Sequence, residues 1–232
     1  MMMSTAKARK PRPRRLLEGF PPDTRIIVAG VTWADYDRFS RAVREGENCR
    51  VAFDGKDIEL MVLGPFHESL RGIIDAFIAI VARELGVEHQ AVGSTTWKRK
   101  KVKRGIESDV SYYFDAAKLV AFAAAFARRS NKVKDYPNPD LAIEIDISPP
   151  KIDRPGIYAA LQVPELWRFT NEVVTIEQLT PEDTYIATGS SRFLHVQATE
   201  VARSVFQEES PRGLAWEQRL REWVQHEVAP RS

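Results

Sequence analysis

The segment Leu141-Ala-Ile-Glu-Ile-Asp-Ile147 constrains this chain more than any other stretch. Successive side chains of a strand point to opposite faces, so Leu141, Ile143, Ile145 and Ile147 share one face while Ala142, Glu144 and Asp146 share the other. The first face asks for a hydrophobic core. The second carries two carboxylates, and burying an ionised carboxylate costs several kcal/mol unless it is paired or holds a metal. Either that face meets water, or each acid meets an arginine, or the acids hold an ion. Pro149-Pro150 ends the strand.

Other elements follow from spacing. Between Glu68 and Leu85, apolar residues recur at helical intervals (Leu70, Ile73, Ile74, Phe77, Ile78, Val81), and Gly86 stops the helix. Thr32 with Asp35 forms a capping pattern ahead of a helix reaching about Glu45 that buries Tyr36, Phe39 and Val43. Asp54-Gly55 between Arg50–Phe53 and Ile58–Leu63 signals a hairpin. Short β-rich runs lie at Val87–Val92, Thr95–Trp97 and Asp109–Phe114, and Ala116–Arg129 reads as an Ala-rich helix. A short helix over Gly156–Leu161 leads to strands at Leu166–Phe169 and Val173–Gln178, and two helical segments over Thr199–Glu208 and Gly213–Glu227 follow. The fold class expected is α/β (α+β), a mixed central sheet flanked by helices with helices at the C-terminus. Residues 1–25 read as a disordered basic arm, 26–197 as the main domain and 198–232 as a helical extension packed on it.

Charge is concentrated rather than abundant. The 232 residues carry a net charge of only +2, yet Lys7–Arg15 contributes six cations and Lys98–Arg104 six more. Without those twelve, 22 cations face 32 acids, so the body is acidic with two basic patches. One cysteine, Cys49, excludes a disulfide scaffold and a Cys-built zinc site. The longest apolar run, Leu119–Ala127, falls short of the ~20 residues of a membrane span, and no apolar stretch follows the basic N-terminus. A cytoplasmic protein is expected.

If the strand opened by Asp109 neighbours the one carrying Glu144, the two acids can converge on one divalent cation. Hard oxygen donors favour Mg²⁺ or Mn²⁺. The run Lys98, Arg99, Lys100, Lys101, Lys103 and Arg104 lies just before Asp109, where it would bind nucleic-acid phosphate without reading sequence; a solvated hairpin is the alternative. His67 could contact a phosphate or metal, or cap a helix. Glu59 could add an acidic ligand or face water. Trp97 reads as core, and Tyr112 and Tyr113 as lying on opposite faces of a sheet.

Seven segments in order resemble one family: Thr32-Trp-Ala-Asp-Tyr36, Asp57-Ile-Glu-Leu-Met61, His67-Glu-Ser-Leu-Arg-Gly72, Gly93-Ser-Thr-Thr-Trp97, and the stretches 105–114, 139–148 and 157–168. Together they are similar to the putative restriction endonuclease family of the PD-(D/E)XK nuclease superfamily. The resemblance implies a restriction-endonuclease-like core and hydrolysis of DNA phosphodiesters with Mg²⁺. It places Asp109 and Glu144 at the metal-binding acids, adds the Ile145 carbonyl as third ligand, and implies a homodimer by analogy. It also exposes departures. Asp146 stands where the superfamily has its lysine, and Arg154 where relatives carry that lysine on the next helix, four residues before Tyr158. Arginine stays protonated and cannot act as a base; Lys151 is near enough in sequence to substitute. The reading is therefore a metal-dependent endonuclease, with a catalytically inactive DNA-binding or protein-interaction module as the alternative.

Overall fold

A computed structural model describes residues 17, 19–43, 49–207 and 213–231. The expected basic arm lies outside the described residues at 1–16 and 18. Its far end is ordered: the Asp23 N–H donates to the Val62 carbonyl at 2.8 Å, and Arg25, expected to close the arm, instead opens a strand.

Two sheets are built. The first contains β1 (Arg25–Val28), β2 (Cys49–Phe53), β3 (Ile58–Val62), β5 (Thr96–Arg99) and β6 (Arg104–Glu107), in the order β1-β3-β2-β6-β5. All its pairings are antiparallel. The second contains β4 (Gln90–Ala91), β7 (Val110–Tyr113), β8 (Leu141–Ile145), β9 (Glu165–Thr170), β10 (Val173–Leu179) and β11 (Tyr185–Ala187), in the order β11-β10-β9-β8-β7-β4. Its mixed character rests on β8 and β9, which run parallel, while the other pairs are antiparallel. A parallel pair needs a crossover, and α4 (Arg154–Ala160) supplies it. The α/β class and the expected mixed sheet flanked by helices stand, and a second, antiparallel sheet accompanies it.

The six-stranded sheet is covered on both faces, which decides the fate of β8. Leu141, Ile143 and Ile145 face a core shared with Phe77 and Ile78 of α2 (Pro65–Glu84) and with Trp216, Leu220 and Val224 of the C-terminal helix Leu214–Trp223 and the turn after it. Ala142, on the opposite face, packs with Ile157 and Tyr158 of α4 and with Ala52, Trp97 and Ile106 of the other sheet. Tyr112 and Tyr113 follow the same division: they point to opposite faces, yet both are buried. Glu144 shares the face of Ala142 and is thereby carried into the layer between sheets.

Local chemistry explains the helices. The α2 pattern ends at Gly86, whose φ of 67° is a left-handed stop. The helix α1 (Trp33–Val43) starts at a capping box in which Thr32 and Asp35 bond each other's side chains and backbone. It docks on the first sheet by stacking Tyr36 on Phe53 at 4.8 Å. A third helix, α3 (Ala116–Ala127), is capped by Asp115 and leaves Val120 and Phe126 exposed. Among the described residues, no helix is long and apolar enough to cross a membrane.

Tyr36 fits because residue 105 has no side chain: a Cβ there would overlap the tyrosine ring and hydroxyl. Gly105→Ala should therefore lower the unfolding free energy by ~1–3 kcal/mol in urea, the usual cost of overpacking. Serine there should cost more than alanine.

Candidate active site

The register of β7 and β8 sets the centre. Val110 stands opposite Ile143, and the N–H of Asp109 donates to the Ile143 carbonyl at 3.1 Å, which brings Asp109 level with Glu144 on the neighbouring strand. The first sheet then approaches with Arg25 from β1, Arg50 from β2 and Glu59 from β3. The helix α4 adds Arg154 and Tyr158, and α2 adds His67.

The result is a buried charge network in two adjoining parts. Asp146 Oδ1 accepts from Arg25 Nη2 at 2.7 Å, and Arg25 Nη1 donates to Glu59 Oε1 at 2.7 Å. The same Glu59 oxygen accepts from Arg154 Nη1 at 3.1 Å, while Arg154 Nη2 and the Tyr158 hydroxyl donate to the two oxygens of Glu144. Asp109 Oδ2 accepts the Ile145 N–H at 2.8 Å. Its Oδ1 lies 3.2 Å from His67 Nε2 and 3.3 Å from Arg50 Nε, and Arg50 reaches on to Glu107 at 3.3 Å. The four carboxylates Glu59, Asp109, Glu144 and Asp146 and the guanidiniums of Arg25, Arg50 and Arg154 belong to residues no more than 8% exposed.

The two central acids are driven apart. Burial pushes Glu144 up to about 8, with Asp109 and Asp146 adding to the rise against the opposing pull of Arg154. Burial also works to raise Asp109, but hydrogen bonding and charge from His67, with Arg50 and Arg154, outweigh it and hold that carboxyl below the usual range. Arg154 stays firmly protonated: burial opposes its charge, but Glu144 and Asp146 overcome the penalty.

The expected residues do not all meet here. Glu144, Asp146 and Arg154 join one network with Glu59 as its hub, while Asp109 and His67 form a second group beside it with Arg50. His67 does not cap α2, which starts at Gly64 without a side-chain cap; its ring faces Asp109 instead. Lys151 meets the network through its backbone, whose N–H donates to Glu59 at 2.5 Å, while its Nζ donates to the Arg25 carbonyl at 3.1 Å. The cationic run builds the β5–β6 hairpin and divides. Lys98 pairs with Asp37 at 2.7 Å, Arg99 donates to the carbonyls of Val133 and Tyr136, and Arg104 donates to the Lys103 carbonyl. Lys100, Lys101 and Lys103 are exposed. Arg25 and Arg50 are the residues that sequence reasoning missed, although each is a charge at or near the start of an apolar strand run.

A family model described as a putative restriction endonuclease, Uma2, matches residues 33–207. The chain belongs to the Uma2 family. Among solved structures, it is similar to a putative nuclease belonging to DUF820 from Anabaena variabilis ATCC 29413, with 13% identity and a TM-score of 0.44 over 74% of this chain and 98% of that one. No curated protein matches the sequence significantly.

Nuclease families with this kind of core generally use divalent metals, so the donor set of this Uma2 chain can be tested for fit. Among the described residues, no group of three or more His, Cys, Asp or Glu side chains is placed to hold an ion. Asp109 and Glu144 are two hard oxygen donors of the right kind for Mg²⁺ or Mn²⁺. Both oxygens of Glu144 already accept hydrogen bonds, so an ion there competes with Arg154 and Tyr158.

Two outcomes follow. Arg25→Met leaves Glu59 and Asp146 without their shared cation, and urea unfolding should show a loss of ~3–5 kcal/mol. Glu144 binds its proton more tightly folded than unfolded, so its contribution to stability is full below 4.5 and is lost as pH rises to about 8. Glu144→Gln should flatten the parent's decline in unfolding free energy across that window.

Proposed function

We propose that this Uma2 protein is an endonuclease that hydrolyses DNA phosphodiester bonds with Mg²⁺ or Mn²⁺. The observation that carries the reading is the pairing of Asp109 and Glu144 across adjacent strands, one held ionised and the other raised to about 8. Two carboxyls whose titrations are split by their surroundings are the usual mark of acid–base work. Asp109 and Glu144 would hold the ion, with the Ile145 carbonyl as the third ligand that the family resemblance implies. Bound there, a divalent ion would supply Lewis acidity toward the phosphate and a water of lowered pKa.

The chain's own residues set the conditions. Tyr158 orients Glu144 through one oxygen, and Arg154 donates to the other. Arg154 stays protonated, so it would meet the charge of a scissile phosphate as a cation rather than act as a base. Asp146 is spent on Arg25 and serves position. Lys100, Lys101 and Lys103 would hold the DNA backbone. This substrate implies the cytoplasm, and a homodimer is part of the reading by analogy alone.

One observation favours a second reading, a DNA-binding module without hydrolysis: Arg154 stands at the relatives' lysine position and occupies Glu144 directly. Supercoiled plasmid with Mg²⁺ or Mn²⁺ separates the two. The parent should nick it, and Asp109→Asn or Glu144→Ala should each lower the rate by ~100-fold or more. Cleavage by Arg154→Lys but not by the parent would establish the second reading. In calorimetry, Mn²⁺ should bind the parent more tightly as pH rises toward about 8, because ionised Glu144 is the ligand, and Asp109→Asn should abolish the signal.

A further inference from the structure

A cleft of about 990 Å³ opens away from the buried carboxylates. It lies where the two sheets end side by side, since β4 is the edge of one and β5 the edge of the other, and both line it. The helices α1 and α3 and the turn carrying Lys132 and Lys134 close its sides.

Its lining combines charge and flat rings. Asp37 is the one acid among the described lining residues, and it is already matched by Lys98 and Arg41, each at 2.7 Å. Lys100, Lys132 and Lys134 are exposed and form no ion pair among the described residues, so the cleft carries surplus positive charge. Along one wall Phe122 stacks on Phe126 at 5.7 Å and meets Tyr136 in a tilted contact at 5.9 Å. Phe126 ends that row 67% exposed, a large apolar ring that the fold leaves bare beside three lysines. Lysines beside exposed rings match a polyanion whose flat groups are free to stack. Duplex DNA hides its base faces; a single strand presents them.

We propose that this cleft binds a single-stranded segment of DNA, stacking a base on Phe126 and holding phosphates with Lys100, Lys132 and Lys134. The inference rests on the nuclease reading for its choice of DNA, and it adds the form of the substrate. The cleft is tied to the carboxylates through the β5–β6 hairpin. Trp97 in its wall donates to Ser111 at 3.1 Å, two residues from Asp109, and neighbouring Thr96 donates to Glu107, which pairs with Arg50 beside Asp109. A strand held here lies along the hairpin whose far side supports the catalytic acids.

The test uses the full chain with chelator present, so that binding is read without cleavage. A fluorescein-labelled DNA strand of about 16 nucleotides, the upper end of single-strand site sizes, is compared by anisotropy with its blunt duplex. The single strand should bind about tenfold more tightly. Phe126→Ala should weaken single-strand binding about tenfold through lost stacking. Lys132→Ala with Lys134→Ala should weaken it similarly and flatten its log–log salt slope by about 1.4. All three side chains are exposed or at the surface, so these variants keep the core. Preference for the duplex, or single-strand binding within twofold of the parent in both variants, would overturn the proposal. A parent that cuts no plasmid yet loses strand binding in both variants would uphold the cleft while removing the nuclease reading.

Discussion

Four carboxylates lie in the layer between two sheets, and the molecule depends on how their charge is met. Buried ionised groups are tolerated only when partnered, and the partners come from separated parts of the chain. Arg25 on β1 bridges Asp146 and Glu59; Arg154 on α4 bridges Glu59 and Glu144; Arg50 on β2 serves Asp109. The network is thus also a clamp. It fixes the edge of the first sheet against the end of β8, and the crossover helix against both.

The same arrangement explains why the site can be an active centre without being an open one. Asp109, beside His67 and Arg50, remains ionised, while Glu144 is shielded enough to hold its proton near neutrality. An arginine in contact with Glu144 makes the resting centre self-contained. What distinguishes a nuclease from a binding protein on this frame is whether substrate can compete for that arginine, a question of relative affinities rather than of missing parts.

Much of the fold was legible in the sequence because its signals are local. The period of α2, the Asp-Gly turn between β2 and β3, and the alternation of β8 each depend on neighbours within a few residues. The acids of the centre were legible for a related reason, since Glu144 breaks an apolar pattern. Their partners were not. Nothing in one sequence says that the arginine at residue 25, which reads as the end of a solvated basic arm, folds against an aspartate at residue 146. β6 was hidden likewise, because its opening residue Arg104 belongs to a cationic run that reads as loop. The division into two sheets depends on strand pairings over long separations, and Lys132 and Lys134 of the cleft come from a polar turn whose position only packing determines.

The bond from Arg25 to Asp146 spans 121 residues of chain, and that between Arg154 and Glu59 spans 95. Loop closure over such distances must precede any gain from these contacts. During synthesis, β1, β2 and β3 emerge with Arg25 and Glu59 already made, but Asp146 and Arg154 still to come. Until residue 154 has left the ribosome the carboxylate centre has no form, so whatever chemistry it supports would become available only when the domain is nearly whole.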